Sequence, residues 1–438
     1  MAGTGGTRGG WLPVGVWCAT RAVVVLCALR VIRLPGPDVS SDVRVIYRAW
    51  AEVLGAGAFP LGDVTWQYPP GAALAVLSPG LLPFLDYGPA FVAVVLVADA
   101  VGLALFLRMA RRPGNRPAGA WVWIVGVALL GPTAYARYDL MAALVAAMAL
   151  FAAARRPRVA GALVAFGALL KVWPVLVLTG AALRGRRARA LWLAAAGTTA
   201  GLTVLFVAAA PGALAFLAFQ RDRGTEIESL GALVFHLARH LGWSGEVLLR
   251  YGSVEFVGPG VAAVSALALA LTLAALVWLL RWRLRARELG ARTLPDAAFT
   301  ATLLFTTTSR VISPQYLLWL VALAAVCLTT GAGRQAAPAG LVVLATGVTL
   351  LEFPVFFPHV VASDGPGVAL LAVRNGLLVT ASLMACRRLA AATRGDGSLG
   401  GRAAGAGGRG SPAAVRAAAA GPAPLTSAAP PRTPATPG

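Results

Sequence analysis

Residues 35–70 read PGPDVSSDVRVIYRAWAEVLGAGAFPLGDVTWQYPP, a polar interlude directly after the first long apolar run. The stretch holds Asp38, Asp42, Glu52 and Asp63, four of only 17 acidic side chains in 438 residues. Spacing predicts a helix from Ser41 to Leu54, with Val45, Ala49 and Glu52 in one row and Ile46, Trp50 and Leu54 in another. Such a helix is amphipathic but too polar to span a bilayer, so it is expected to lie in the membrane interface. Ser40-Ser41-Asp42 supplies capping residues at its start. Beyond Gly55 and Gly57 the chain runs to Trp66, Tyr68 and Pro69-Pro70, with aromatics suited to the head-group level.

Hydrophobic residues make up 58% of the chain and charged residues 13%, with a mean hydropathy of +0.75, which excludes a soluble core of this size. Apolar runs of roughly 17–25 residues recur from Trp11 to Cys386, each about the length that crosses a hydrocarbon core. Trp11–Leu34 is long and has no small-residue cleavage site, so it reads as a true span and not a removable signal. In a soluble protein a formal charge of +21 would point to nucleic acid. Here the arginines sit in short loops between apolar runs, the positive-inside pattern, and no nucleic-acid partner is expected. Cys18, Cys27, Cys327 and Cys386 fall in or at the end of apolar runs without metal-ligand spacing. His236, His240 and His359 are too scattered to suggest a metal site, although the first two are one helical turn apart.

With residues 1–10 cytoplasmic, the first span delivers residues 35–70 to the outside, and the loops Arg108–Arg116, Arg155–Arg158, Arg184–Arg189 and Arg281–Arg292 belong inside. Parity then makes Gly71–Leu85, with Pro79, Gly80 and Pro83, a broken, re-entrant or interfacial segment. Pro89–Leu107 crosses, Ala120–Tyr135 goes out and Leu140–Ala154 returns. Val159–Leu183 has arginines on both flanks and must cross an even number of times. A short helix to about Leu170, a break at Lys171–Pro174 and a short descending helix satisfy both the charges and the proline. Leu191–Ala209 leads to a second outer loop at residues 211–255. Five spans follow near Val257–Leu280, Asp296–Ile312, Tyr316–Gly331, Leu341–Phe357 and Val368–Cys386. The expected fold is an all-α polytopic membrane protein of about ten full spans plus broken segments, occupying residues 11–388. The Gly-, Ala-, Pro- and Arg-rich residues 389–438 read as a disordered cytoplasmic tail.

Lysine occurs once, at Lys171, against 37 arginines. In Gly167-Ala-Leu-Leu-Lys-Val-Trp-Pro174 a charge near mid-bilayer costs roughly 2.5–3.5 kcal/mol, so Lys171 is expected to line a polar cavity or reach the interface. It is either a snorkelling side chain or a compact point charge for a phosphate. Arg137 and Asp139 form a second polar punctuation, readable as a simple structural ion pair. Asp99 lies mid-span and must face the bundle interior, as a packing polar group. Arg221, Arg223 and Arg310 fall on the outer side by parity. With Lys171 and Arg137 they give that face the acid-plus-cations composition that handling a phosphate ester beside a general base requires.

Four blocks carry a family resemblance: Asp42, Tyr47 and Tyr68-Pro69-Pro70; Ala136-Arg-Tyr-Asp-Leu140; Leu170-Lys-Val-Trp-Pro174; and Ser313-Pro-Gln-Tyr-Leu-Leu-Trp319. Together they resemble the membrane glycosyltransferases of the GT-C class. The closest patterns are those of the bacterial family 87 polyprenol-phosphate-mannose-dependent mannosyltransferases and, more distantly, the first mannosyltransferase of GPI-anchor assembly. The resemblance implies inverting transfer of a sugar, mannose by family, from a polyprenyl-phosphate donor to a hydroxyl of a glycolipid or glycan acceptor at the outer face of the cytoplasmic membrane. It implies Asp42 as the base and Lys171, with one or more of Arg137, Arg221, Arg223 and Arg310, on the departing phosphate. Asp38, Tyr47, Tyr68, Asp139, Gln315 and Tyr316 are implied as sugar or acceptor contacts. No cofactor is expected, because the lipid-linked sugar phosphate is itself the substrate. The GPI-pathway relatives carry a DxD-type pair, whereas Asp38 and Asp42 stand four positions apart. That spacing favours a single carboxylate over a bound divalent cation. The competing reading is a flippase or transporter of lipid-linked sugars, for which internal repeats and polar breaks at the midplane are expected; here no repeat is found and polar residues gather on one face.

Overall fold

Among the described residues, six helices are long and apolar enough to cross a membrane: Trp11–Ala28, Tyr87–Ala110, Arg186–Ala209, Val261–Arg285, Ala336–Val355 and Gly365–Thr393. Shorter helices at Ala118–Leu129, Asp139–Ala153, Thr293–Thr308 and Tyr316–Thr330 pack among them. These facts come from a computed structural model, which describes residues 8–219, 224–287, 289–290, 292–331 and 333–394. The chain is an all-α polytopic membrane protein, and the ten helices fall where the apolar runs predict them. Tyr316–Thr330 buries every side chain from Leu317 to Cys327 and forms the central pillar. In Val261–Arg285 only 6% of the membrane-length window is buried, so that helix is apolar all round because lipid surrounds it.

The loops sort onto two ends of the bundle. At one end the arginine-bearing connections meet: the Arg116 N–H donates to the Thr329 carbonyl, Arg283 to the Ala181 carbonyl, Arg388 to the Arg334 carbonyl, and Arg334 pairs with Asp296. Pro157, Ala181, Arg187 and Leu289 share one groove there. At the other end Arg137 donates to the Val39 carbonyl, Gln67 to the Tyr251 carbonyl, Phe59 N–H to the Pro211 carbonyl, and Ile312 N–H to Glu226. The grouping matches the parity deduced from arginine placement.

Both broken segments are present. Ala72–Leu77 continues as a 3₁₀ turn over Ser78–Leu81, in all about 15–20 Å of rise and too short for a hydrocarbon core of about 30 Å. Pro157–Leu170 stops at Lys171, which is extended (φ −146°, ψ 140°), and the chain returns through a 3₁₀ stretch at Trp173–Gly180. Lys171 therefore stands at the tip of a hairpin inside the bundle. Gly71 lets the first loop press on that tip, since a Cβ there would lie 2.6 Å from the Leu169 carbonyl oxygen.

In the first loop, Asp42–Tyr47 is a π-turn that leads into the α-helix Arg48–Gly55. The wider turn rotates the buried row to Val43, Tyr47 and Trp50, leaving Ile46 and Leu54 half-buried. The second loop departs from the all-helical expectation. It holds a short helix, Ala232–Arg239, and an antiparallel sheet ordered β1-β3-β2, with β1 Thr225–Glu226, β2 Glu246–Arg250 and β3 Ser253–Val257. Ile227, Phe235 and Phe256 give this subdomain its own small core, closed by Val360 and Leu371.

Candidate active site

At the end of the bundle away from the arginine loops lies a cavity of about 360 Å³. Its walls come from five remote stretches: the first loop, the hairpin tip, the second loop, the end of Thr293–Thr308, and the turn into the central pillar.

Asp42 stands in this wall at the start of the π-turn, with Oδ2 2.6 Å from Arg137. Burial would push the pKa of the Arg137 guanidinium down, but Asp42, with Tyr47, Tyr68 and Asp139 behind it, outweighs burial and raises it. Asp42 keeps about a third of its side chain exposed (35%), so the paired carboxylate still faces the cavity.

Lys171 is nearly buried, with its ammonium 3.2 Å from Oδ1 of the fully buried Asp139. The rings of Tyr68 and Tyr138 close around it, with centroids 4.4 and 4.8 Å from Nζ. Such cation–π contacts are worth more out of water, which offsets part of the cost of holding the charge there. Trp319 Nε1–H donates to Asp139 Oδ1 at 2.8 Å, and Trp319 stacks between Trp173 (5.2 Å) and Tyr316 (3.9 Å). The three blocks containing Asp139, Lys171 and Trp319 thus converge on one charge pair. The expected Arg137–Asp139 pair does not form. The short turn before Asp139–Ala153 points the two side chains to different partners, Asp42 and Lys171.

Tyr47 lines the cavity on the other side, and its buried hydroxyl has no hydrogen-bond partner among the described residues. Burial raises its pKa, so it stays a neutral donor. Tyr68, Gln315 and Tyr316 are also in the wall. Two anchors outside the lining hold it in shape. Asp63 accepts from Trp50 Nε1–H (2.7 Å) and from Thr65 N–H and O–H (2.8 and 2.6 Å). Burial alone would raise the Asp63 pKa, but these donors prevail and lower it. Glu226 accepts from Ile312 N–H (2.7 Å) and Ser313 O–H (2.8 Å), which clamps the turn that carries Gln315 and Tyr316.

Not every candidate arrives at the cavity. Asp38 is turned away, held by Arg30, Arg44 and the Ser40 hydroxyl. Arg310 contributes a backbone carbonyl to the Glu226 N–H and is not in the cavity wall. Arg221 and Arg223 lie outside the described residues. Tyr138, Trp173 and Trp319 also belong to the site and sit inside the quoted blocks, where their aromatic character is the signal for them, whereas nothing in the sequence marks Tyr251, Thr65 or Gln67.

A cavity set in the end of a helical membrane bundle, with a carboxylate, a caged ammonium and aromatic walls, has the make-up of an active site in a membrane enzyme. The model of Glycosyltransferase family 87 matches residues 66–314, more than half of the chain, and the chain belongs to that family. It is a membrane glycosyltransferase. Tyr68, Arg137, Asp139 and Lys171 fall inside the matched stretch, while Asp42 precedes it. No curated protein matches the chain.

Proposed function

We propose that the enzyme transfers a hexose, mannose by family resemblance, from a polyprenyl-phosphate sugar to a hydroxyl of a glycolipid or glycan, at the extracytoplasmic face of the cell membrane and with inversion. The observation that carries this reading is the meeting of Asp42 and Lys171 in one cavity at the end remote from the arginine loops. The positive-inside rule assigns the arginine end to the cytoplasm and the cavity to the outside.

Arg137 holds Asp42 by Oδ2, and Oδ1 has no partner among the described residues. That oxygen takes the acceptor proton as the acceptor oxygen attacks the anomeric carbon. The bond from the anomeric carbon to the phosphate oxygen breaks, and the phosphate leaves with the electron pair. Only one of the three Lys171 N–H donors is needed for Asp139, so the others can meet the leaving oxygens. Phosphate is a good leaving group and needs no general acid. Asp38 is engaged by two arginines and does not join Asp42 in a two-carboxylate cation cradle, so a single carboxylate is the mechanism we infer.

The test is transfer from a radiolabelled panel of polyprenyl-phosphate mannose, glucose and galactose, in membranes with and without the protein. Product from at least one donor, dependent on the protein, is the expected result. Transfer from a nucleotide sugar alone would overturn the donor assignment.

A further inference from the structure

The β2–β3 hairpin turns through two residues, Tyr251 and Gly252, between the paired Arg250 and Ser253. Both central residues have positive φ, 51° and 75°. A two-residue hairpin loop with left-handed φ at both positions is a type I′ turn, which selects Asn-Gly or Asp-Gly. Gly252 obeys this rule and Tyr251 breaks it. A bulky aromatic side chain at positive φ is strained, and such residues persist where the site has a use for the side chain.

Tyr251 stands in the cavity wall, half-buried. Its turn is pinned to the first loop by Gln67, which donates to the Tyr251 carbonyl at 3.3 Å and to the Val64 carbonyl at 3.2 Å. The Arg250 guanidinium lies 5.4 Å from the ring centroid and covers one face. Of the other wall aromatics, Tyr47, Trp50 and Tyr68 pack in one cluster with Trp66 behind them, and Trp173, Trp319 and Tyr316 form a stack, which leaves the apolar Phe216 and Phe305 beside Tyr251 without a ring partner among the described residues. Tyr251 makes no ring–ring contact among the described residues, and its hydroxyl has no hydrogen-bond partner there.

We propose that Tyr251 is the platform of a sugar subsite at the mouth of the cavity, one that takes the pyranose ring of a glycoside acceptor. The C–H face of a pyranose packs on the open face of the phenol, and the Tyr251 hydroxyl and Arg250 offer polar partners to the ring hydroxyls. The platform comes from the second loop and not from the helices beside Lys171, so it serves the acceptor and not the lipid-linked donor. This assignment rests on the transfer reaction proposed above.

Tyr251→Asn gives the turn its preferred residue and removes the platform, so stability and function separate. We expect the thermal midpoint of the variant in detergent to equal or exceed that of the wild type. The KM for octyl α-mannopyranoside as acceptor probe rises about 3- to 10-fold, the range of a lost aromatic-face contact, with the donor KM unchanged. Tyr251→Phe keeps the ring and retains most of the acceptor affinity. An unchanged acceptor KM in Tyr251→Asn overturns the subsite, as does an equal rise in both KM values with a lowered midpoint. Saturation-transfer NMR with methyl α-mannopyranoside tests the platform without donor or turnover. A signal lost in Tyr251→Asn and kept in Tyr251→Phe supports it, and equal signals in all three proteins overturn it even if the transfer reaction itself is absent.

Discussion

The Lys171 ammonium lies 3.2 Å from Asp139, while Arg137, two residues before Asp139, pairs with Asp42 at 2.6 Å. One short turn therefore ties the first loop to the hairpin tip through two separate ion pairs of opposite orientation. Charge removed from either pair leaves its partner without compensation.

Lys171→Met strands the fully buried Asp139 carboxylate, at a cost of roughly 3–5 kcal/mol. Its loss of transfer alone would not separate folding from function. The double variant Lys171→Met with Asp139→Asn removes both charges and is expected to recover monodispersity in detergent but not transfer. Lys171→Arg keeps the pair but presents a bulkier planar group, and is expected to fold with impaired transfer. Near-wild-type turnover by the double variant would remove Lys171 from the donor site.

Asp42→Asn keeps shape and loses proton affinity. Turnover is expected to fall by roughly 10²- to 10⁴-fold, the contribution of a general base, with donor binding retained. Asp38→Asn, outside the cavity, is expected to retain turnover and to loosen the loop in proteolysis assays. An indispensable Asp38 with a tolerant Asp42 would reverse the assignment.

Arg21 and Asp99 form a buried pair at 2.7 Å, and Trp123 and Tyr135 donate to the same carboxylate at 2.6 and 2.7 Å. Arg21→Met is expected to cost roughly 3–5 kcal/mol because the carboxylate loses its cation. Adding Asp99→Asn should return part of the lost midpoint, as the amide oxygen still accepts from Trp123 or Tyr135. If the double variant is no more stable than Arg21→Met, the charge is not what makes the single change costly.

His236 ties the second loop to Ser363. Its Nε2 donates to the Ile227 carbonyl at 2.8 Å, and Nδ1 lies 2.7 Å from the Ser363 hydroxyl. Burial lowers its pKa, and Arg239 and His240 add to the effect. The folded form thus refuses a proton that the unfolded chain accepts below about pH 6.5. Stability is full above that pH and declines as pH falls below it, until the folded site is also protonated. The thermal midpoint between pH 7.5 and 5.5 should fall less steeply in His236→Gln. Parallel curves for the two proteins would assign the acid sensitivity elsewhere.

Sidedness can be checked apart from chemistry. In a cysteine-free background, single cysteines at the exposed Ala56 and Leu241 are expected to react with an impermeant maleimide in intact cells, and one at the exposed Arg111 is not. The reverse pattern would turn the proposed orientation over.

The spans were legible because lipid demands long apolar runs, and the broken hairpin because arginines on both flanks of Val159–Leu183 forbid a single crossing. The lone lysine marked the hairpin tip for the same reason: nothing apolar explains it. Partner choice was not legible. Arg137 and Asp139 look like a pair in sequence, and only the turn between them sends each elsewhere. Asp99 was readable as interior, yet its cation, Arg21, sits 78 residues earlier inside a span where it resembles an ordinary flank. The small sheet escaped notice because its strands have at most five residues. Such lengths are too short for an alternating pattern to stand out.

The contact of Gly71 with Leu169 sets how far a changing lineage can move this cavity. Main chain meets main chain there, so the placement of Tyr68 over the Lys171 ammonium is inherited from the backbone and survives exchanges among the surrounding side chains. Sugar and acceptor preference can then drift through the wall residues while the spot we propose for the leaving group stays put. A single methyl group at position 71 would end that independence by wedging the loop off the hairpin.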